Sequence, residues 1–292
     1  MKNKNWYYTL ILFILILSSC GKRENIYQFA ATETYPEDTI LQNISPKRAM
    51  IVIAHDDDMC AMSGTISQLN KKGWEIAVVS FLRTPEQNAA HLKACKAILD
   101  TVMFVDLKPS QYRNDPDKWD HSISKSAFDT IFNQTIIIEK FLYIIQAYNP
   151  SVIFTLDNEI GAYGHPDHVF ISQMVIDLAE ANLISSKYIY QSVLTNHTVN
   201  EVMKRRAKLL QSWGFAGDNW EIAKETYGVS GMPEPNVQFN IQSEAKLKMD
   251  YLRSYNKREK KTIDFFIPAF EKYDAEEYFE VFDREFFRII IF

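Results

Sequence analysis

Two short segments concentrate the residue types that hold metals and move protons. The first, Ala54-His55-Asp56-Asp57-Asp58, sets three adjacent carboxylates beside an imidazole. The second, Tyr163-Gly164-His165-Pro166-Asp167-His168, carries two of the chain's six histidines three residues apart. Neighbouring carboxylates repel one another unless a cation or hydrogen-bond donors neutralise them. Pro166 suits the first position of a helix, so His165 and His168 project to the same side of that helix start. Two imidazoles and a carboxylate converging with open positions suit a divalent ion, zinc or Fe2+ in particular. His-Asp pairs also cap helices, and Asp-Asp-Asp is a common solvated turn. Placement decides between these readings, because each segment follows an apolar run of strand length.

Those runs belong to an alternating series. Residues 49–54 form an apolar stretch of the kind that fills a strand buried on both faces. A helix is predicted over 64–72, a strand over 74–82, a helix over 86–99 and a strand over 101–107. A long helix over 125–148 stops at Asn149-Pro150. A strand over 151–156, a helix over 167–182 and a strand over 187–194 complete the series. The predicted class is α/β, a Rossmann-like sandwich whose mainly parallel sheet is covered by helices on both faces. In such sheets ligands bind beyond the carboxyl ends of the strands, where both segments fall. No Gly-x-Gly-x-x-Gly, P-loop or Gly-x-Ser-x-Gly pattern supports dinucleotide, triphosphate or serine-hydrolase chemistry.

The chain has 292 residues, 47% hydrophobic and 24% charged, with a formal charge of -5, which excludes wholesale disorder and disfavours a nucleic-acid partner. Lys2 and Lys4 precede an apolar run from Trp6 to Leu17 that ends in Leu17-Ser18-Ser19-Cys20. That is the layout of a secretory signal too short to span a membrane. Its ending resembles the bacterial lipobox, which implies cleavage before Cys20 and lipidation of Cys20. The expected organisation is a lipoprotein signal peptide (1–19), a tether (20–46) and a single domain (47–292). Within that domain a core spans 47–195 and a C-terminal extension 196–292. The expected location is a bacterial cell envelope, the chain anchored by lipid and facing the periplasm or the cell surface. Cys60 and Cys95 read as two separately buried thiols.

The paired segments resemble the two motifs of the PIG-L/LmbE-like zinc-dependent N-acetylglucosaminyl deacetylases. The family's Ala-His-Pro-Asp-Asp-Glu, running on toward Gly-Thr, corresponds to Ala54-His55-Asp56-Asp57-Asp58-Met59 and Ser63-Gly64-Thr65. Its Gly-His-Pro-Asp-His is intact from Gly164 to His168. The resemblance implies that His55, Asp58 and His168 ligate Zn2+, with Fe2+ or another divalent ion as alternatives. It implies Asp57 as general base and His165 as the group that steadies the oxyanion and protonates the leaving amine. Tyr163 matches a tyrosine that reaches the substrate carbonyl in some members. The implied activity removes an N-acetyl group from an N-acetylglucosamine-type sugar or glycan.

Departures from the motif are Asp56 for proline, Met59 for glutamate, and Asn88 and His91 where Arg and Glu are common. Tyr255 stands near a position often occupied by His. They motivate an alternative, a catalytically impaired lipoprotein that binds glycan or metal. Asp56 is also expected to add charge beside the metal. A phosphohydrolase is suggested by the adjacent His55-Asp56, but that class carries such pairs on helices. His91, on a helix with Lys93 and Lys96, reads as a surface residue. Trp213 and Trp220 read as candidates for a substrate wall, and the C-terminal Phe residues as packing.

Overall fold

A computed structural model describes residues 23–82, 84–114 and 122–292. The signal peptide, Cys20 and His121 lie outside them. The first strand, β1 (Arg48–His55), is followed by α1 (Ser63–Lys71), β2 (Glu75–Leu82), α2 (Pro85–Cys95) and β3 (Thr101–Phe104). Next come α3 (Gln134–Tyr148), β4 (Val152–Leu156), α4 (Pro166–Glu180) and β5 (Tyr188–Val193). The extension adds α5 (Asn196–Ser212), α6 (Asn219–Tyr227), β6 (Val237–Asn240), α7 (Ala245–Ser254), α8 (Lys257–Asp264), α9 (Ala275–Val281) and β7 (Arg284–Ile291).

These strands form one seven-stranded sheet in the order β3-β2-β1-β4-β5-β7-β6. The pairs among β1 to β5 are parallel, and β7 runs antiparallel to both β5 and β6. Ala49, Ile51 and Ile53 of β1 face a core shared with Ile66, Cys95, Met249 and Phe279. Met50, Val52 and Ala54 face Ile137, Phe141, Val169 and Met174 of α3 and α4. Burial on both faces explains why β1 is an unbroken apolar run rather than an alternating one. From β1 the chain proceeds to β2 on one side, and from β4 to β5 on the other. The β1–β4 junction is therefore the switch point where such sheets open a crevice.

Three expectations need correction. The predicted helix over 125–148 is broken. A short turn, Phe128–Ile131, ends at Phe132, which is extended (φ −96°, ψ 139°), and α3 begins only at Gln134. Phe132 bridges Arg113 in antiparallel fashion and stacks on Phe170 at 4.0 Å between ring centroids. Packing of that ring thus overrides local helix propensity. The stretch read as a tether is, from residue 23 onward, packed: Ile26, Phe29 and Leu41 are buried, and Glu37 bridges Gln238 of β6. The extension supplies two sheet strands that had no predicted counterpart. In β7 the buried Glu285 interrupts the apolar pattern, because its carboxylate accepts the Gly64 and Thr65 N–H groups at 2.8 and 2.7 Å and pairs with Lys248. Cys60 and Cys95 are separate, buried thiols.

Candidate metal centre at the switch point

His55 ends β1, and Asp56, Asp57 and Asp58 follow in a tight turn (Asp56–Ala61). The His55 N–H donates to Asp58 Oδ2 at 2.8 Å, which folds the third carboxylate back toward the imidazole. Across the junction, the loop after β4 is organised by Asp157, which is fully buried. Its Oδ1 accepts the N–H groups of Glu159, Ile160 and Gly161 at 3.1, 2.7 and 3.1 Å, and its Oδ2 that of Ala162 at 2.7 Å. Gly161 (φ 62°) lies so close to the next helix that a Cβ would meet His168 Cβ at 2.8 Å. Gly164 (φ 96°) is likewise closed to a side chain by Ala223. That close approach lets the Gly161 carbonyl accept from His168 Nδ1 at 3.0 Å.

The geometry assigns the proton positions. His168 Nδ1 is committed to the Gly161 carbonyl, so Nε2 keeps its lone pair. His55 Nε2 lies 3.2 Å from Asp167 Oδ2, which leaves Nδ1 facing inward. The two inward nitrogens are 2.9 Å apart, and Asp58 Oδ1 is 3.1 Å from His168 Nε2. Asp58 Oδ2 is 3.8 Å from His55 Nδ1. Two lone pairs and a carboxylate at this spacing require a positive charge between them. Separations of about 3 to 4 Å suit ligands that each bond one ion at ~2.0–2.2 Å. The donor set therefore fits a divalent metal, with each imidazole anchored through its other nitrogen, as metal-binding histidines usually are.

The electrostatics agree. Burial works against a charged His55, but Asp167 and Asp58 overcome it and hold its pKa well above the usual imidazole range. Burial likewise opposes charge on Asp58, and His168 and His55 hold it ionised, well below the usual carboxylate range. Ionised carboxylates that favour a positive charge on His55 would equally favour a metal cation at this point. Asp57 is pushed up to about 6, by burial first and then by the charge of Asp58. It makes no side-chain hydrogen bond to another described residue. The His165 ring packs against His168 with centroids 4.8 Å apart, and its Nδ1 accepts the Asp167 N–H at 3.2 Å. Burial holds its pKa well below the ordinary value, so it is neutral and carries its proton on Nε2. The Tyr163 ring lies 5.1 Å from that of His168 and stacks on Phe266 at 4.2 Å.

Every proposed site residue within the described chain is thus gathered here. Two further residues were not singled out from sequence. Asp167, inside the second motif, is fully buried between His55 and Arg113, whose Nε lies 3.1 Å from Asp167 Oδ1. Arg113 is itself buried and comes from the loop pinned by Phe132, a placement with no local signature. His91 is buried rather than superficial: it faces inward, where Nδ1 lies 3.2 Å from Tyr255 Oη. Tyr255 in turn donates to the Asp56 carbonyl at 2.9 Å. Trp220 is buried in packing and Trp213 is exposed, so they do not form one wall. Met59 is a core residue.

Asp56 points away from the cluster into the interior, where neither carboxyl oxygen has a hydrogen-bond partner among the described residues. Burial, then the charges of Asp57 and Glu259, push its pKa up to about 8. It is thus mostly neutral at pH 7, contrary to the added charge expected beside the metal. The folded chain holds this proton more tightly than the unfolded one. The resulting stability is complete below about pH 4 and is lost as pH rises to about 8. Asp56→Asn stays neutral throughout, so it should gain on the native chain by up to about 1.4 kcal/mol per pH unit across that window. Denaturant titrations at several pH values check this, and a pH-independent difference would refute it.

Residues 50–179 match the family model described as PIG-L, GlcNAc-PI de-N-acetylase. That stretch of the chain is similar to the PIG-L family. No curated protein sequence matches the chain significantly. Among solved structures, a deacetylase of the teicoplanin biosynthesis pathway aligns with a TM-score of 0.50 at 12% identity, covering 84% of this chain and 98% of that one. The N,N'-diacetylchitobiose deacetylase from Pyrococcus horikoshii aligns at 0.48 and 12% identity, covering 87% and 89%. GalB, the 4-carboxy-2-hydroxymuconate hydratase from Pseudomonas putida KT2440, aligns at 0.49 and 12% identity, covering 84% and 96%. The PIG-L match contains both motifs in full, begins within β1 and ends within α4.

Proposed function

We propose that the chain is a metal-dependent de-N-acetylase acting on an N-acetylglucosamine-type sugar or glycan. One observation carries the reading: His55, Asp58 and His168 converge, the two imidazoles with their outer nitrogens committed, beside an Asp57 whose side chain makes no hydrogen bond to another described residue, within a region similar to PIG-L. Two nitrogens and one oxygen suit Zn2+ best, with Fe2+ the next candidate. Such an ion supplies Lewis acidity toward an amide carbonyl and toward water. Asp57, with its raised pKa, accepts the proton of the attacking water near neutral pH. His165, neutral and protonated on Nε2, donates a hydrogen bond to the developing oxyanion, and the proton that Asp57 takes from water passes to the departing amine. Tyr163 borders the same cavity as Asp57 and contributes to substrate binding.

The test joins metal content with amine release. Purified protein should carry about one divalent ion per chain and should release amine from N-acetylglucosamine-type substrates. Chelation should abolish turnover and Zn2+ should restore it. Full turnover by metal-free protein would overturn the proposal. Metal binding without turnover on any substrate would favour the impaired binding protein instead.

We also propose that Cys20 is lipidated and holds the enzyme on the bacterial envelope, on the strength of Leu17-Ser18-Ser19-Cys20. Single acyl chains anchor weakly and several anchor stably, by ~0.8 kcal/mol per buried CH2. Cys20→Ser should release the protein from membranes, and unchanged fractionation and lipid labelling would sink the idea.

A further inference from the structure

A cavity of about 140 Å³ borders the candidate metal centre, and its lining includes Asp57, Asp58 and His168. Most of the remaining lining is carbon. Val193 comes from the end of β5, Met203 from α5, and Met232, Phe266 and Phe282 from the extension. The charged residues in the lining farther from the centre already have partners: Lys248 is paired with Glu285, and Arg284 with Asp283 at 2.9 Å.

This volume is large for an acetyl methyl. An apolar cavity of about 150 Å³ holds a benzene ring, six carbons, and stays dry without it. A sugar ring would suit the space poorly, because its hydroxyls would be buried without enough hydrogen-bond partners. An alkyl chain needs none. The position beside Asp57 and Asp58 puts such a chain next to the reacting carbonyl.

Resting on the metal-dependent amide-hydrolase reading above, and widening its acyl group beyond acetyl, we propose that this cavity receives the alkyl part of the acyl group. The preferred substrates are then amino sugars bearing straight-chain acyl groups of about six to eight carbons, on the scale of that cavity, rather than acetyl. The reaction is otherwise unchanged. The amide C–N bond breaks, the oxygen of water bonds to the carbonyl carbon, and the nitrogen leaves as the amine after taking up a proton. The second product is a medium-chain carboxylate. The motif residues act on the carbonyl alone, so they leave the length of the chain beyond it to the cavity.

The experiment uses metal-loaded protein and an N-acylglucosamine series from acetyl to decanoyl, with amine release as readout. The expected kcat/KM rises about fourfold per added methylene until the cavity is full, from ~0.8 kcal/mol per buried CH2. Val193→Phe, which fills part of the space, should lower octanoyl turnover at least tenfold and leave acetyl turnover within about threefold. If that variant does not fold, Met232→Phe serves the same purpose. A second readout avoids turnover: in Asp57→Asn protein, N-octanoylglucosamine should raise the melting temperature more than N-acetylglucosamine does. Acetyl turnover equal to or faster than octanoyl, with no length effect on melting, overturns this inference and leaves the de-N-acetylase reading standing. No amine release from any member of the series overturns both.

Discussion

Asp57→Asn should lower kcat by about 10²–10⁴-fold, the range of general-base removal, while bound metal stays at the native level. Asp58→Ala should instead lose the metal, and activity with it. The two residues are adjacent in sequence, yet the turn after β1 separates their surroundings. Asp58 is tied to the His55 N–H at 2.8 Å and lies 3.1 Å from His168 Nε2, so its charge is consumed in the cluster. Asp57 has no such tie and borders the cavity. Amide in place of carboxylate preserves shape and removes only the proton acceptor. Asp56→Ala should be milder than either, since its side chain faces the interior and no proton transfer depends on it. Metal analysis and steady-state kinetics on the three variants decide the matter. Near-normal turnover in Asp57→Asn together with lost turnover in Asp56→Ala would show that the roles are out of register.

Arg113→Met should destabilise the fold by about 3–5 kcal/mol, the usual result of stripping one partner from a buried ion pair. Asp167 is fully buried, and burial alone would raise its pKa. His55, His165 and Arg113 hold it well below the usual carboxylate range. Without Arg113, Asp167 loses part of that support and takes His55 with it, because His55 Nε2 is oriented by Asp167 Oδ2. Metal affinity should therefore fall about 10–100-fold, as for partners that orient metal-binding histidines. The double variant Arg113→Met with Asp167→Leu separates the two effects. A hydrophobic pair should recover much of the stability, yet His55 would still lack its anchor and affinity should stay low. Equal metal affinity in the native chain and the double variant, by competition with a chromogenic chelator, would leave Arg113 a purely structural role.

The α/β class, the succession of the first five strands along the chain and the two segments at strand ends were legible in sequence. The reason is that each depends on local signals. Strands buried on both faces must be apolar throughout, Pro166 marks a helix start, and Asn149-Pro150 marks a helix end. Nearly every side chain of the centre lies within a few residues of such a mark, so placing the strand ends placed the chemistry. Only the tertiary structure decided the rest. Arg113 reaches Asp167 because Phe132 stacks on Phe170 and breaks a sequence that reads as one long helix. His91, on a predicted helix that also carries Lys93 and Lys96, turns inward to Tyr255. Glu285 is a charged residue in a buried strand because it caps α1 from across the sheet. The cavity beside the centre is assembled from β5, α5 and the C-terminal extension, which meet only on folding. Each of these rests on partners tens to hundreds of residues away, and a pattern of period 2 or 3.6 carries information about the face a residue occupies, not about which distant side chain will meet it there.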